Sequence, residues 1–356
     1  MFRLLVLASA LDLEGAGPLD ELEEQVAHVQ KLGVDAELLV DPSQAELELK
    51  LINERFDCVF SPIARCYRRT TDGEVIPRDY AIFGVLERLG QSFVGSTFFR
   101  GMLVDDKTLA NDRHLLAPPG ILVSRALFAS RPDAVAKRLS SLRFPLLIKP
   151  NSLGGSLGID ANAIVQDVDA ALRRLREMFS RFSSVSELRA EQYIDGAREF
   201  TVAVLGNGTA TATSVTEVVK PNAHGDIFSE QDKQVHVSHR RVRYDVVADG
   251  VLRGTAATLA QETFRRFELR DLARFDILYK ERFYVIDINV PPILSNSFSY
   301  EWQMLYGLQK PELLAVVLAA YHYRILVETG CSPVPDALLE SVPRRIREAL
   351  SPLHPA

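Results

Sequence analysis

Apolar and polar positions alternate along the chain in blocks of two kinds, and the first hundred residues contain both. Short apolar runs typical of strands are separated by longer segments with apolar residues at helical spacing. The predicted strands are Leu4 to Ala8, Ala36 to Val40, Cys58 to Phe60 and Phe93 to Ser96, and the predicted helices are Leu19 to Leu32 and Pro77 to Leu89. Strands that alternate with helices usually pair in parallel. The amino-terminal part is therefore expected to be a parallel βα domain.

Two further blocks follow, and predicted strands dominate them. The second block begins near Asp106 and Lys107, passes a turn at 118–120 and reaches a strand from Phe144 to Lys149. The predicted strands of the third block are Glu191 to Ile194, Phe200 to Leu205, Thr213 to Val219 and a hairpin over 274–289. The tail after Pro311 has apolar residues at helical spacing. We expect an α/β protein of three domains, divided as 1–105, 106–189 and 190–356.

The hairpin over residues 274–289 carries polar side chains at alternate positions. Because alternate side chains share a sheet face, Arg274 and Asp276 lie together on its first strand, and Asp287 and Asn289 lie together on its second. In a register that keeps the apolar side chains inside, both sets occupy one face. Two carboxylates and a carboxamide would supply hard oxygen ligands and leave positions open, which suits Mg²⁺ that bridges phosphates. A half-buried hairpin with a polar outer face would give the same pattern.

A second candidate segment runs from Phe144 to Ile159, where a buried strand ends in Lys149 and a glycine-rich turn follows. Glycines allow positive φ angles and close backbone approach, so that successive N–H groups can bind a phosphate. Lys149 adds a positive charge at the same edge. The segment has neither the Walker order nor the dinucleotide-binding order of glycines. Such turns also occur in proteins that bind nothing.

Composition and charge limit the classes of partner that we expect for the chain. The chain of 356 residues has a formal net charge of −6 and no long basic run, which disfavours a nucleic-acid partner. No apolar run approaches about 18 residues, so we expect no membrane span, and the apolar start, 1–10, is interpreted as a buried strand. Cys58, Cys66 and Cys331 lack metal-like spacing and are interpreted as thiols in a reducing cytoplasm. We expect a cytoplasmic homodimer that acts on small molecules.

Five separated segments together resemble the ATP-grasp superfamily, and within it the D-alanine:D-alanine ligase group. They occur in that family's order and at about its spacing, which is more specific than any single motif. The matching residues are Phe93 to Ser96 with Asp106-Lys107, Phe144 to Ile159, Glu191 to Gly196 with Glu199 to Val202, Arg274 to Asp276, and Asp287 to Asn289. The resemblance implies an ATP-grasp fold, in which two α+β domains follow the βα domain along the chain and grip ATP between them.

The resemblance also implies cofactors and residue roles. The cofactors would be ATP and Mg²⁺, with Mn²⁺ as a substitute. Nucleotide contacts would come from Lys107, Lys149, the loop residues Gly154, Gly155 and Ser156, the strand residues Glu191, Gln192, Tyr193 and Ile194, and Glu199 at the ribose. The metal ligands would be Asp276, Asp287 and Asn289, and the catalytic groups would be Arg274 at the anionic intermediate, Lys233 at the γ-phosphate and Glu14 at a substrate amine.

The implied reaction is ADP-forming ligation, in which a carboxylate is activated as an acyl phosphate and then joined to an amine. The chain departs from the family on the substrate side, and the departures are Gly155 for a serine, Ser61 to Arg65 for a His-Gly signature, Ile293 for a glycine and Gln234 for a tyrosine. The sequence therefore favours a ligase with substrates altered from D-alanine. A true D-alanine:D-alanine ligase of peptidoglycan synthesis, a small-molecule kinase and a non-catalytic nucleotide-binding protein remain alternatives.

Overall fold

Parallel and antiparallel sheets with covering helices give the chain an α/β fold, as the sequence predicts. The computed structural model describes residues 1–10, 19–64, 67–69, 75–77, 81–107, 117–152, 158–160, 162–183, 185–219 and 243–352. In these ranges, no helix combines the length and the apolar character that crossing a membrane requires.

The amino-terminal part forms a parallel sheet of three strands. Strand β1 (Arg3–Ala8) lies in the middle and pairs with β2 (Asp35–Val40) and β3 (Cys58–Phe60). Helices α1 (Leu19–Lys31) and α2 (Gln44–Asn53) connect the strands as crossovers. The predicted parallel βα arrangement of this part is confirmed.

One predicted helix in this part begins later than expected. Strand β4 (Tyr67–Arg69) pairs antiparallel with β5 (Val75–Pro77), so Pro77 ends a strand and does not open a helix. Helix α3 runs from Ile82 to Arg88. The prediction of a helix that starts at Pro77 is therefore wrong at its start, and correct from Ile82 onward.

The predicted strand from Phe93 to Ser96 is reduced to a single parallel bridge between Val59 and Phe93. Gly95 adopts a φ of 107°, which is outside the strand region, and its N–H donates to the Asp271 carboxylate at 2.8 Å. The Gly95 N–H thus donates to a side-chain carboxylate, and not to the backbone carbonyl of a neighbouring strand. Helix α4 (Phe98–Asp105) begins directly afterwards.

The central part forms a sheet of four antiparallel strands, in the spatial order β6, β9, β7, β8. Helices cover one of its faces and share an apolar core with it. The strands are β6 (Gly120–Ser124), β7 (Leu146–Pro150), β8 (Ile164–Val165) and β9 (Glu187–Gln192), and the helices are α5 (Arg125–Ser130), α6 (Pro132–Leu139) and α7 (Val168–Arg181). The proposed boundary between residues 189 and 190 falls inside β9, and the three-domain division remains a proposal.

The third part is built on an antiparallel sheet of five strands, in the order β12, β11, β10, β13, β14. Helix α8 (Gly250–Arg266) covers one face, where the apolar side chains of the sheet form a core with it. The strands are β10 (Arg198–Asn207), β11 (Ala210–Val219), β12 (Arg243–Val246), β13 (Asp271–Tyr279) and β14 (Phe283–Asn289).

The opposite face of the five-stranded sheet changes from apolar to polar along its strands. Leu205 and Leu272 at the apolar end belong to one core with the amino-terminal sheet and the carboxyl-terminal helices. Those helices are α9 (Asn296–Tyr306), α10 (Leu313–Thr329), α11 (Asp336–Ser341) and α12 (Arg344–Leu350), with a 3₁₀ turn at Lys310–Glu312. The polar end carries the residues of the candidate site.

Candidate active site

A β-bulge in strand β14 places the acidic residues of the hairpin on one face. Phe283 and Val285 point into the core beneath α8, and Ile288 does so three residues later. The pairing with β13 shifts by one residue between Asp276 and Ile277, so Ile286 is the extra residue of the bulge. Without it, alternation would turn residue 287 toward the core. The bulge therefore directs Asp287 and Asn289 to the polar face.

The register sets these polar residues directly opposite each other across the two strands. Asp276 faces Asp287, and Arg274 faces Asn289. Arg274 holds both oxygens of Asp276, with Nε at 3.2 Å from Oδ1 and Nη2 at 3.3 Å from Oδ2. The Nδ2 of Asn289 donates to Asp276 Oδ2 at 3.3 Å. Burial disfavours the Arg274 charge, but Asp276 raises its pKa above the ordinary value.

Lys107 reaches the same face from another part of the chain. Its Nζ lies 3.2 Å from Asp287 Oδ1. Burial opposes the charge of each partner, yet the carboxylate of Asp287 raises the pKa of Lys107, and Lys107 with Lys149 lowers the pKa of Asp287. Both groups are therefore charged at neutral pH.

Asn151 connects the segments that carry the two lysines. Its backbone carbonyl accepts from the N–H of Lys107 at 3.3 Å, and its Nδ2 donates to Asp106 Oδ1 at 3.0 Å. Asn151 directly follows β7, which contains Lys149. The end of α4 and the end of β7 are thus held side by side, which positions both lysines.

Lys149 belongs to a buried ion cluster on the four-stranded sheet. Its Nζ lies 2.6 Å from Glu191 Oε1, and Arg189 Nε lies 2.8 Å from Glu191 Oε2. Burial opposes ionisation of Glu191, but Lys149 and Arg189 lower its pKa. A side chain at Gly120 would place a Cβ 2.6 Å from the Ala190 carbonyl and 2.9 Å from the Glu191 Cα, so glycine is required where β6 passes this cluster.

The segment after Glu191 leaves the sheet earlier than predicted. Strand β9 ends at Gln192, so Tyr193 and Ile194 lie beyond it. The backbone N–H of Gln192 donates to Pro119, at 2.7 Å, and that of Tyr193 donates to Pro145, at 2.9 Å. The prediction that 191–194 is all strand is wrong at its end. The predicted contacts of these residues with adenine and ribose remain a proposal.

Glu199 lies on the polar face of the five-stranded sheet, at a neighbouring strand position. It is two residues before Thr201, and Thr201 pairs with Asp276 across β10 and β13. Tyr244 of β12 pairs with Val218, which in turn pairs with Glu199, so its side chain is on the same face. Burial raises the pKa of Tyr244, while Arg274 lowers it. Its phenol therefore stays protonated at neutral pH.

The first turn of helix α9 closes one side of this face. Ser297 Oγ accepts from Arg274 Nη1 at 3.3 Å, and the Ser297 carbonyl accepts from Thr201 Oγ1 at 3.2 Å. The helix is fixed further along by side chains that bind the edge of β11. Trp302 Nε1 donates to the Thr213 carbonyl at 2.8 Å, and the Glu301 carboxylate accepts the N–H of Val215 at 2.7 Å.

The donor set on this face fits Mg²⁺ that is shared with a phosphate ligand. Asp276 and Asp287 supply carboxylate oxygens and Asn289 an amide oxygen, which are hard ligands. The described part of the chain contains no group of three or more His, Cys, Asp or Glu side chains suited to a metal. An ion here would accordingly depend on phosphate and water for its remaining ligands.

Several predicted site residues lie outside the described residues. They are Glu14, Gly154, Gly155, Ser156 and Lys233. The structure brings together Lys107, Lys149, Arg274, Asp276, Asp287 and Asn289, with Glu191 beside Lys149 and Glu199 on the same face as Asp276.

Comparisons with known proteins identify the family of the chain. The D-ala D-ala ligase C-terminus family matches residues 112–319. D-alanine–D-alanine ligase A of Bradyrhizobium diazoefficiens is 27% identical over 265 residues, which are 71% of this chain and 69% of the relative. D-alanine–D-alanine ligase of Cupriavidus metallidurans is 30% identical over 275 residues, or 75% of each chain. The chain belongs to the D-alanine–D-alanine ligase family.

A solved structure agrees with this family's fold. The D-alanine–D-alanine ligase of Bacillus anthracis complexed with ATP superposes with a TM-score of 0.66 at 18% identity, over 92% of this chain and 99% of that one. As a D-alanine–D-alanine ligase family member with the ATP-grasp fold, the protein is an ADP-forming, ATP-dependent enzyme that makes an amide bond.

The structure places at the site several residues that the sequence analysis did not predict, among them Arg189, Asn151 and Ser297. Arg189 shares Glu191 with Lys149, and the period-two run Glu187, Arg189, Glu191 in β9 would have indicated it. Asn151 lies within the candidate segment from Phe144 to Ile159, but no side-chain pattern in the sequence indicates that it connects the two lysine segments. Ser297 follows the hairpin by a short loop, and only the packing of α9 brings it to Arg274.

Proposed function

We propose that this chain uses ATP to join two molecules of D-alanine into a dipeptide. The observation that carries the proposal is the cluster of two lysines, one arginine, two carboxylates and one carboxamide at the meeting of two sheets. The relatives described above, all named as D-alanine–D-alanine ligases, support D-alanine over altered substrates.

The chemistry follows from the poor reactivity of a carboxylate. An oxygen of the first D-alanine attacks the γ-phosphorus of ATP, the bond to the β-phosphate oxygen breaks, and ADP leaves. The amine of the second D-alanine then attacks the carbonyl carbon of the acyl phosphate and loses a proton. Collapse of the tetrahedral intermediate forms the amide and expels inorganic phosphate. Negative charge accumulates in both steps, so fixed positive groups lower both barriers.

The positive side chains divide between the nucleotide and the reacting carboxylate. Lys107 and Lys149 bind the phosphates, and Arg274, held by Asp276 and Ser297, faces the anionic intermediate. Glu199 accepts hydrogen bonds from the ribose. Asp276, Asp287 and Asn289 hold Mg²⁺, which supplies Lewis-acid stabilisation of phosphate charge when it is bound. The roles of Glu14, Lys233 and the loop 154–156 are part of the same proposal.

A ligase with altered substrates is the second candidate, and the structure around Ser61 favours it. Ser61 stands where the family resemblance implies a His-Gly signature. Its buried hydroxyl donates to the carbonyl of Ile63 at 2.6 Å. A hydroxyl that already hydrogen-bonds to the nearby backbone is less available to bind a substrate ammonium or carboxylate.

The decisive experiment is turnover with D-alanine as the only amino acid, followed by mass spectrometry of the product. We expect D-alanyl-D-alanine, with ADP formed at a rate near the enzyme median of about 10 s⁻¹. D-alanine labelled with ¹⁸O in its carboxylate should transfer one labelled oxygen to inorganic phosphate, because the acyl phosphate breaks at its carbonyl carbon. Amides formed only from other acids or amines would establish the altered-substrate candidate. A phosphorylated product without an amide would establish a kinase.

Replacement of Lys149 by methionine should weaken nucleotide binding steeply. A charge-assisted contact to phosphate contributes on the order of 1.5 to 3 kcal/mol, or roughly ten- to hundredfold in affinity. Calorimetric titration with ADP measures the change. Lys137→Met, at an exposed position of α6 in the same sheet domain, is the matched control and should bind as wild type does. Equal affinities for all three proteins would leave Lys149 only as the counterion of Glu191.

Dimerisation and location complete the proposal. We expect a homodimer, which light scattering of the purified chain measures directly. Dependence on ATP agrees with action in the cytoplasm.

A further inference from the structure

Both carboxylates of the proposed metal site carry a side-chain cation. Arg274 binds both oxygens of Asp276, and Lys107 lies 3.2 Å from Asp287. Asp276 and Asp287 are directly opposite each other on neighbouring strands, and like charges in such a pair repel. The two side-chain cations therefore compensate the negative charge of this pair of carboxylates.

We infer that Lys107 holds the place of the metal at Asp287 until the nucleotide arrives, and thereby couples metal binding to nucleotide binding. This inference rests on the proposed function, since it takes Asp287 as a metal ligand and Lys107 as a phosphate contact. The phosphates of the nucleotide attract the Lys107 ammonium, which frees Asp287 for Mg²⁺. Each ligand then favours the other to the same extent, because coupling between sites is reciprocal.

Lys107 and Arg274 differ in their ability to make such an exchange. An ammonium on a four-carbon stem can swing between two anions, whereas the planar guanidinium of Arg274 is held in a fork by the two oxygens of Asp276. The Lys107 backbone is itself fixed by its hydrogen bond to Asn151. The exchange therefore requires movement of one side chain only.

Exposure of the two partners agrees with this role. The side chain of Lys107 is 9% exposed, whereas that of Asp287 is 27% exposed. An incoming hydrated ion can therefore reach the Asp287 carboxylate from solvent, while the Lys107 ammonium lies buried beside that carboxylate. Lys149 pairs with Glu191 instead, so Lys107 is the lysine whose release would free Asp287.

The test is the affinity for Mn²⁺ alone, measured by electron paramagnetic resonance of free Mn²⁺ without nucleotide. Lys107→Met removes the charge and keeps an unbranched side chain. We expect this variant to bind Mn²⁺ roughly tenfold more tightly than wild type, which is within the usual range of couplings between sites. The increase in Mn²⁺ affinity that ADP causes should become smaller by about the same factor. Thermal melting of each variant checks its folding.

Three further variants distinguish the specific effect of Lys107 on Asp287 from a general effect of the net charge on Mn²⁺ affinity. Lys280→Met removes a lysine that donates to the Asp195 carbonyl, 2.7 Å away and outside the proposed metal site, and should bind Mn²⁺ as wild type does. Lys107→Arg keeps the charge at Asp287 and should keep the weak affinity. In Lys107→Met combined with Asp287→Asn, the gain in affinity should disappear.

Equal Mn²⁺ affinities of wild type and Lys107→Met would overturn the inference while leaving the metal site intact. A tenfold gain in Lys280→Met as well would also overturn it, because the effect would then be one of net charge. Failure of wild type to bind Mn²⁺ even with ADP would instead overturn the metal assignment in the proposed function, and the inference with it.

Discussion

Combined replacement of Asp287 and Asn289 by alanine should reduce ADP formation by roughly a hundredfold or more. These are the two side chains that the β14 bulge directs to the polar face, and Asp287 also binds Lys107. Loss of preorganised charge at a reacting phosphate costs catalysis on this scale. Steady-state ADP release at saturating ATP and several Mg²⁺ concentrations measures the effect. Folding should persist, because both side chains are only partly buried at a polar edge.

A matched control lies on the same sheet. Asp245 of β12 pairs with Arg243 at 2.7 Å, and its side chain is 39% exposed. Asp245→Asn removes a carboxylate from a strand of this sheet but not from the face that carries Tyr244. Its turnover should match wild type. Near-normal turnover of the Asp287 and Asn289 double variant at ordinary Mg²⁺ would remove both residues from the metal site.

The shared face of the hairpin could be predicted from the sequence, but its cause could not. Alternation places Arg274 and Asp276 together, and the structure agrees. On β14, however, apolar residues occupy 283, 285, 286 and 288, and alternation alone does not say where the phase changes. The bulge at Ile286 is fixed by the core beneath α8, which takes up Val285 and Ile288. A tertiary contact thus determines which way Asp287 points.

The role of Glu191 is a second case in which tertiary pairing matters more than sequence pattern. The sequence predicts a strand from Glu191 to Ile194 that meets the nucleotide through its edge. The structure begins the strand at Glu187 and engages both oxygens of Glu191 with Lys149 and Arg189. That Lys149 joins Arg189 on this carboxylate depends on the register between β7 and β9, and a single sequence does not contain that register.

Phe93 to Ser96 shows how a buried polar network can replace a predicted strand. Four apolar or small residues after a glycine turn are typical of a strand, but here Gly95 binds Asp271 and Ser96 Oγ accepts from the N–H of Arg270. Arg324 of α10 completes the network by donating to the Phe93 carbonyl at 2.8 Å. Such long-range partners leave no periodic signal in the sequence.

Replacement of Arg324 by methionine should destabilise the protein by about 3 to 5 kcal/mol, the usual cost of removing one partner from a buried ion pair. Asp271 is fully buried, at 0% exposure, and its oxygens lie 2.8 Å from Arg324 Nε and 2.9 Å from Nη2. Among the described residues, the donors that remain for that carboxylate in the variant are the Asn207 amide and the Gly95 N–H. The midpoint of urea unfolding measures the loss.

We attribute this loss of stability to the buried Asp271 charge that remains without its counterion, and not to the lost volume of the Arg324 side chain. A double variant distinguishes the two causes. Arg324→Met combined with Asp271→Asn removes both charges, so it should be less destabilised than Arg324→Met alone. Arg344→Met, which breaks an exposed pair with Glu348 on α12, should cost about 0 to 1 kcal/mol. If Arg324→Met behaved like Arg344→Met, the network would not hold the amino-terminal segment on the five-stranded sheet. If the double variant were as unstable as the single one, packing of the Arg324 side chain would account for the whole effect.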